Sequence, residues 1–155
     1  MISDVSYALS LSAPWPSSIE QHDKRVENRE RWVNTPSNVS KARSLIGHDL
    51  AIQTSGTYDL GGAAMIYHLT GHNYPRPSVA NKAITSVVRL TGLLMPGDRP
   101  PPGQERWYFG GIALTFDRVR VLPKPVPFKG GFGFLLIPDE TLDAVLKQLQ
   151  KARSV

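Results

Sequence analysis

Lys24-Arg25-Val26-Glu27-Asn28-Arg29, with Trp32 close behind, is the stretch on which the reading of this chain turns. It sets two opposite charges and an amide around one apolar residue. Extended from Val26, it points Glu27 and Arg29 to one face, because strand side chains alternate. Lys24 then falls at the turn into the strand and leans towards the same face. A carboxylate held between two cations keeps its charge. The result is a compact cluster with both donor and acceptor edges, able to hydrogen-bond a ligand. A solvated strand carrying an i, i+2 ion pair has the same spacing, and exposed pairs of that kind are common and weak.

On the N-terminal side, Tyr7–Ser12 alternates apolar and small polar residues and predicts a strand, ended by Pro14 and Pro16. Residues 17–21 predict a short helix, with Pro16 suited to its first turn. Val26–Trp32 is expected to be the second strand. Asn34–Ser44 is polar and basic and is expected to be a loop with at most one helical turn. His48–Thr54 predicts a third strand. Gly61-Gly62 opens a helix through Leu69, stopped by Gly71. Ala83–Leu94 is a strand with a bulge at Gly92. Met95–Gln104, with four prolines and two glycines, is expected to be an exposed loop and a candidate lid. Trp107–Phe116 and Val119–Leu122 are strands meeting near Asp117-Arg118, and Gly131–Ile137 is the last. A final helix at about 139–152 carries Leu142, Val145, Leu146 and Leu149 as one stripe. This pattern alone gives an α+β, mostly antiparallel fold.

Three segments, in order, carry a resemblance. The run at Lys24 resembles the signature of the ASCH superfamily of PUA-like β-barrels, a Gly-x-Lys-x-x-Glu-x-Arg pattern. Lys24, Glu27 and Arg29 match it in register, and Val26, Asn28 and Trp32 agree with its wider form. Ala8–Trp15 is similar to the family's first strand, which ends in Pro-Trp. Leu122–Gly131 resembles its late P-x-P-V-P-x-x-G segment. The chain departs from the pattern at His22, where the signature has Gly. It departs again at Ser12-Ala13, where Arg-Gln is frequent, and at Gln53, in place of a strand His. The resemblance implies a small mixed, partly closed β-barrel flanked by two to four short helices.

The bulk properties are compatible. At 155 residues, positions 1–155 are expected to form one domain with a proper core. The absence of cysteine excludes disulfides and thiolate chemistry and fits a cytoplasmic location. No stretch reads as a membrane span or a signal peptide. The net charge is +5, and residues 24–43 hold six Lys/Arg against two Glu, which suits a polyanionic partner. His68 and His72 have the spacing of a helical metal pair, but Gly71 falls between them and no third ligand is evident. Gly61-Gly62 lacks the Gly-Lys-Ser/Thr ending of a phosphate loop, leaving only an anion on the helix N-terminus. Gly130-Gly131-Phe132-Gly133 reads as a tight turn and bulged strand rather than a cofactor loop. No metal and no cofactor are expected.

The resemblance implies a cleft beside the signature strand that takes single-stranded RNA or a modified nucleoside, read through splayed bases. Its expected ligand-binding residues are Ser12, Trp15, Lys24, Glu27, Asn28, Arg29, Trp32 and Thr54, with Trp15 or Trp32 offering a stacking face. Arg25, Lys41, Arg43 and Lys129 are expected to contact phosphates. The alternative is a small hydrolase, a ribonuclease or an N4-acylcytidine amidohydrolase, with Lys24 and Glu27 as catalytic residues. The amidohydrolase members' Thr falls on Glu27, so that nucleophile is missing. Replacing Lys24 and Arg29 together by Ala is expected to weaken RNA binding with little effect on the melt.

Overall fold

The computed structural model describes residues 2–155. Its frame is a seven-stranded mixed sheet built from β1 (Tyr7–Ala13), β2 (Val26–Asn28), β3 (Asp49–Tyr58), β4 (Ala83–Leu94), β5 (Ala113–Pro127), β6 (Phe134–Leu136) and β7 (Arg153–Ser154). Four helices flank it: α1 (Trp15–Gln21), α2 (Pro36–Leu45), α3 (Leu60–Thr70) and α4 (Asp139–Leu149). The strand order is β2-β5-β4-β3-β1-β6, and β7 adds to β5. Every pairing is antiparallel except β1 with β3. The architecture is therefore the expected α+β, a sheet curled into a partly closed barrel.

Alternation along the strands divides the apolar side chains between two cores. Leu9, Leu11, Leu50, Ile52, Val88, Leu90, Leu114 and Phe116 meet Ile19 and Trp32 in the first, within the curl. Ala8, Ala51, Ile84, Val87, Leu122 and Val126 meet Val145 of α4 in the second. β4 is buried on both faces, which is why its sequence is a nearly continuous apolar run rather than an alternating one. Helix α4 is the amphipathic element, with acids in its first turn and Lys147 in its last, as the helix dipole favours.

Several elements differ from expectation. β2 stops at Asn28, and Glu30–Asn34 forms a 3₁₀ turn that tucks Trp32 into the first core. Residues 36–45 are a ten-residue helix rather than a loop. Its apolar side is only Val39, Ala42 and Leu45, one residue per turn, too narrow a stripe to stand out among Ser, Lys and Arg. β5 runs unbroken through Asp117-Arg118. Arg118 takes φ 49° there, and the β4 register slips rather than ending. Trp107 is buried but lies in a 3₁₀ turn (Glu105–Trp107), ahead of that strand. β3 runs on to Tyr58, and β6 is cut to Phe134–Leu136. Met95–Gln104 has no helix or strand, as its prolines dictate. Its Gln104 is nonetheless buried. Gln104 accepts from Arg25 N at 2.7 Å and donates to Asp23 O at 2.9 Å, pinning the loop's end to the chain entering β2.

Candidate ligand cleft beside the signature strand

The barrel is incomplete at one seam. β6 pairs with β1 only from Tyr7 to Leu9, and before Phe134 the chain peels away as the Gly130–Gly133 turn. Beyond Leu9 the free edge of β1 faces the end of β2. Arg29 Nη2 crosses the gap and donates to Ser10 O at 2.9 Å, holding the two ends of the sheet together. Where the edges do not meet, a cleft of about 830 Å³ opens. Its walls are Ser10 and Ser12 of β1, Asn28 to Trp32, Thr35 and Asn38 at the start of α2, Ser55 and Thr57 of β3, and Gly130 to Gly133.

The β1 wall of the cleft, and the buried layer beneath the Gly130–Gly133 turn, are polar for a reason visible in the register. Ala8 pairs with Ala51, and Ser10 with Gln53. Ala8 and Ala51 lie in the second core, under the α4 side. Two residues further along, the same face has become Ser10 and Gln53. Ser10 Oγ accepts from Gly131 N at 3.2 Å, and Gln53 Nε2 donates to Phe128 O at 2.7 Å. A Cβ at Gly130 would collide with both Ser10 Oγ and Gln53 Oε1, so only glycine fits this close approach. Two buried polar atoms at this seam have no partner among the described residues, Arg29 Nε and Gln53 Oε1.

The three signature charges form one cluster. Lys24 Nζ is 2.9 Å from Glu27 Oε1, and Arg29 Nη2 is 3.2 Å from Glu27 Oε2. Lys24, however, is 0 % exposed and does not line the cleft. Its ammonium also donates to Val26 O and lies 5.3 Å from the centre of the Trp15 ring. Burial pushes its pKa down, opposed by the charge and hydrogen bond of Glu27. Such a lysine is part of the fold. Removing it leaves a void where a fully buried side chain stood and takes one of two cations from the half-buried Glu27, which destabilises the fold. The expectation that Lys24→Ala with Arg29→Ala spares the melt is therefore corrected.

The other expected ligand residues divide sharply. Ser12, Asn28, Arg29 and Trp32 line the cleft, while Trp15, Lys24, Glu27 and Thr54 do not. Asn28 is spent on the fold: Nδ2 donates to Trp107 O at 2.9 Å and Oδ1 accepts from Phe109 N at 3.0 Å. Trp15 Nε1 donates to Asp59 Oδ2 at 2.9 Å, and its ring meets the edge of Phe109. Trp32 is buried, with the Arg29 guanidinium over one side and Phe134 tilted against it at 5.5 Å. Neither indole is free to stack. Thr54 turns to a separate small cavity with Thr85 and Glu20.

Of the expected phosphate contacts, Arg25 is tied to Ile19 O, Lys24 O and Val155 O, away from the cleft. Lys41 caps the Tyr7 ring at 3.9 Å, and Arg43 is exposed on α2. Lys129 is exposed beside Gly130 at the rim. Arg31, exposed and lining the cleft, lies outside the residues that match the signature, although strand alternation would already put it on the face of Glu27 and Arg29. Thr35, Asn38 and Phe132 are brought in by turns and a helix that the sequence does not predict, and Thr57 by the extension of β3 beyond Thr54. The candidate lid, Met95–Gln104, is not part of the cleft wall.

Two other sites close on themselves. The Asp59 carboxylate accepts from Gly62 N at 2.8 Å and occupies the N-terminus of α3, where an anion was considered. His68 is exposed on α3, whereas His72 lies against His22, ring centres 4.7 Å apart. No set of three metal-binding side chains occurs among the described residues.

The architecture resembles a solved ASCH structure. That structure is the crystal structure of a serine-to-alanine mutant of ZmASCH from Zymomonas mobilis. The likeness has a TM-score of 0.49 at 12% identity, and it covers 99% of this chain and 100% of that one. No family model matches the chain, and no curated protein does. Among the described residues, no helix is long and apolar enough to cross a membrane.

Proposed function

We propose that this protein is an ASCH-like, PUA-like domain that binds single-stranded RNA, seating one unstacked nucleotide in the cleft at the barrel seam. The observation that carries this reading is the make-up of that cleft. It is open and about 830 Å³, walled by two arginines and a row of hydroxyls and amides. Arginines attract phosphates, and the hydroxyl and amide lining suits the edge of a base. A duplex would present its bases stacked and out of reach of so narrow a seam. A modified base is accommodated by the same arrangement.

The hydrolase alternative is less well supported. It needs Lys24 or Glu27 at the ligand, and the one is buried while the other is engaged by two cations. Arg31 is the residue to test, since it is exposed and its removal leaves the fold's own contacts in place. Anisotropy of a labelled single-stranded RNA should show affinity falling steeply with salt. Arg31→Ala should flatten the log–log slope by about 0.7, the equivalent of one phosphate on a single strand. Absence of any affinity at low salt, or equal affinity for duplex, would overturn the reading.

A further inference from the structure

Beside the buried Trp32, Phe132 is the other large apolar side chain that lines the cleft, and it is fully exposed. An uncovered phenylalanine forgoes the burial that normally fixes an aromatic ring in a fold. Its setting makes the exposure specific. Gly131 precedes it and Gly133, at φ 70°, follows it, so the tip bears no neighbouring side chain. Below the tip the turn is anchored: Gly131 N donates to Ser10 Oγ, and Phe128 O accepts from Gln53. Gly130 is packed so closely on Ser10 and Gln53 that it has no room for a Cβ. A pinned base with a glycine-flanked tip gives one ring freedom to swing while its hinge stays in place.

The other aromatic rings are already used. Trp15 holds Lys24, Asp59 and Phe109, and Trp32 holds Arg29 and Phe134. Any flat ligand in the cleft has to find its stacking partner elsewhere. The hydroxyls and amide that line the cleft below, Ser10, Ser12, Thr35, Asn38 and Thr57, offer both donors and acceptors to the edge of an occupant. A ligand that is flat above and polar at one edge is a nucleobase.

We propose that the Gly131-Phe132-Gly133 turn is an aromatic clamp, in which Phe132 closes over the cleft and stacks on the one base seated there. This rests on the RNA-binding reading above and assigns the base-holding role to a residue outside the signature.

The test compares wild type, Phe132→Ala and Phe132→Tyr on a single-stranded RNA and on an abasic oligomer of equal length, by anisotropy at low salt. Phe132→Ala should weaken RNA binding roughly tenfold or more, the effect of losing one stacked base, without changing the salt slope. Phe132→Tyr keeps the ring and should bind as wild type does. On the abasic oligomer all three should bind alike. The clamp falls if Phe132→Ala binds RNA as tightly as wild type, if Phe132→Tyr loses as much as Phe132→Ala, or if the loss persists on the abasic oligomer. Those results leave RNA binding standing. Failure of wild type to bind RNA at all removes both the clamp and the reading beneath it. Because Phe132 is fully exposed, the melts of the variants should coincide, which keeps folding out of the comparison.

Discussion

Glu20 sits in a cavity of about 140 Å³ between α1 and the β3–β4 pair, where Thr85 Oγ1 donates to its carboxylate at 2.8 Å and Thr54 meets Thr85. Burial pushes its pKa up to about 7, against the hydrogen bond from Thr85 and the charge of Arg153, which lower it. Between pH 4.5, its ordinary value, and pH 7 the folded chain holds a proton that the unfolded chain has released. Stability from this group is therefore fully present below the lower value and is lost as the pH rises through the upper one. The span corresponds to about 3 kcal/mol. Glu20→Gln keeps an acceptor for Thr85 and has no charge to bury. It should match wild type in urea unfolding at about pH 5 and exceed it at about pH 8. Equal stability of the two proteins at the higher pH would show that Glu20 carries no such penalty. Asp49 works in the opposite sense. Burial raises its pKa, but hydrogen bonds from Arg120, Ser3 and Arg89 outweigh that and bring it to about 2. Its stability is present above pH 3.8 and fades as the pH falls through about 2. At this scale the sequence was informative about charge pairing and silent about depth. The spacing of Lys24, Glu27 and Arg29 foretold their contact. That Lys24 is sealed away depends on Trp15 and on the carbonyl of Val26, which no spacing reveals.

Among the elements, the strands with a plain apolar pattern were legible: β1, β4 and the stripe of α4 appear where periodicity puts them. The misses share a cause. α2 and the 3₁₀ turn before it bury a single large ring and a narrow stripe, so polar residues dominate their composition. The bend at Arg118 reads as a strand end in the sequence because a bulge and a turn draw on the same residue types. The 3₁₀ turn and α2 carry Arg31, Thr35 and Asn38 to the cleft, which is why these wall residues escape the sequence reading. The Gly130–Gly133 turn gives the sharpest test at this scale. Gly130→Ala should force Ser10 and Gln53 apart and lift the turn, costing about 1–3 kcal/mol, as overpacking does. The loss should appear as a lowered midpoint in thermal unfolding, and an unchanged midpoint would mean that the approach is looser than described. A Gly131→Ala control meets only Leu135 side-chain carbons, which can give way, and should cost less.

Across the whole molecule, β3, β4 and β5 form a run of antiparallel neighbours, while β1, β2 and β6 are added at its flanks. β4 lies at the middle of that run, paired on both edges and buried along its first half, so the amides of Val87 and Val88 should exchange most slowly with deuterium. Those of β6 and β7 should exchange soonest, and protection of β1 outlasting that of β4 would contradict this order. The parallel pairing of β1 with β3 bears on how the chain is made. During translation β1 and β2 leave the ribosome well before their partners exist: β1 waits for β3, and β2 waits for β5, some eighty-five residues later. Until then the first strands have nothing to join, and the Lys24 side chain has no barrel in which to be enclosed. Strands made before their partners are thus among the last to take their final place, and the nascent chain must keep an apolar strand and a future ion pair in water until β5 has emerged.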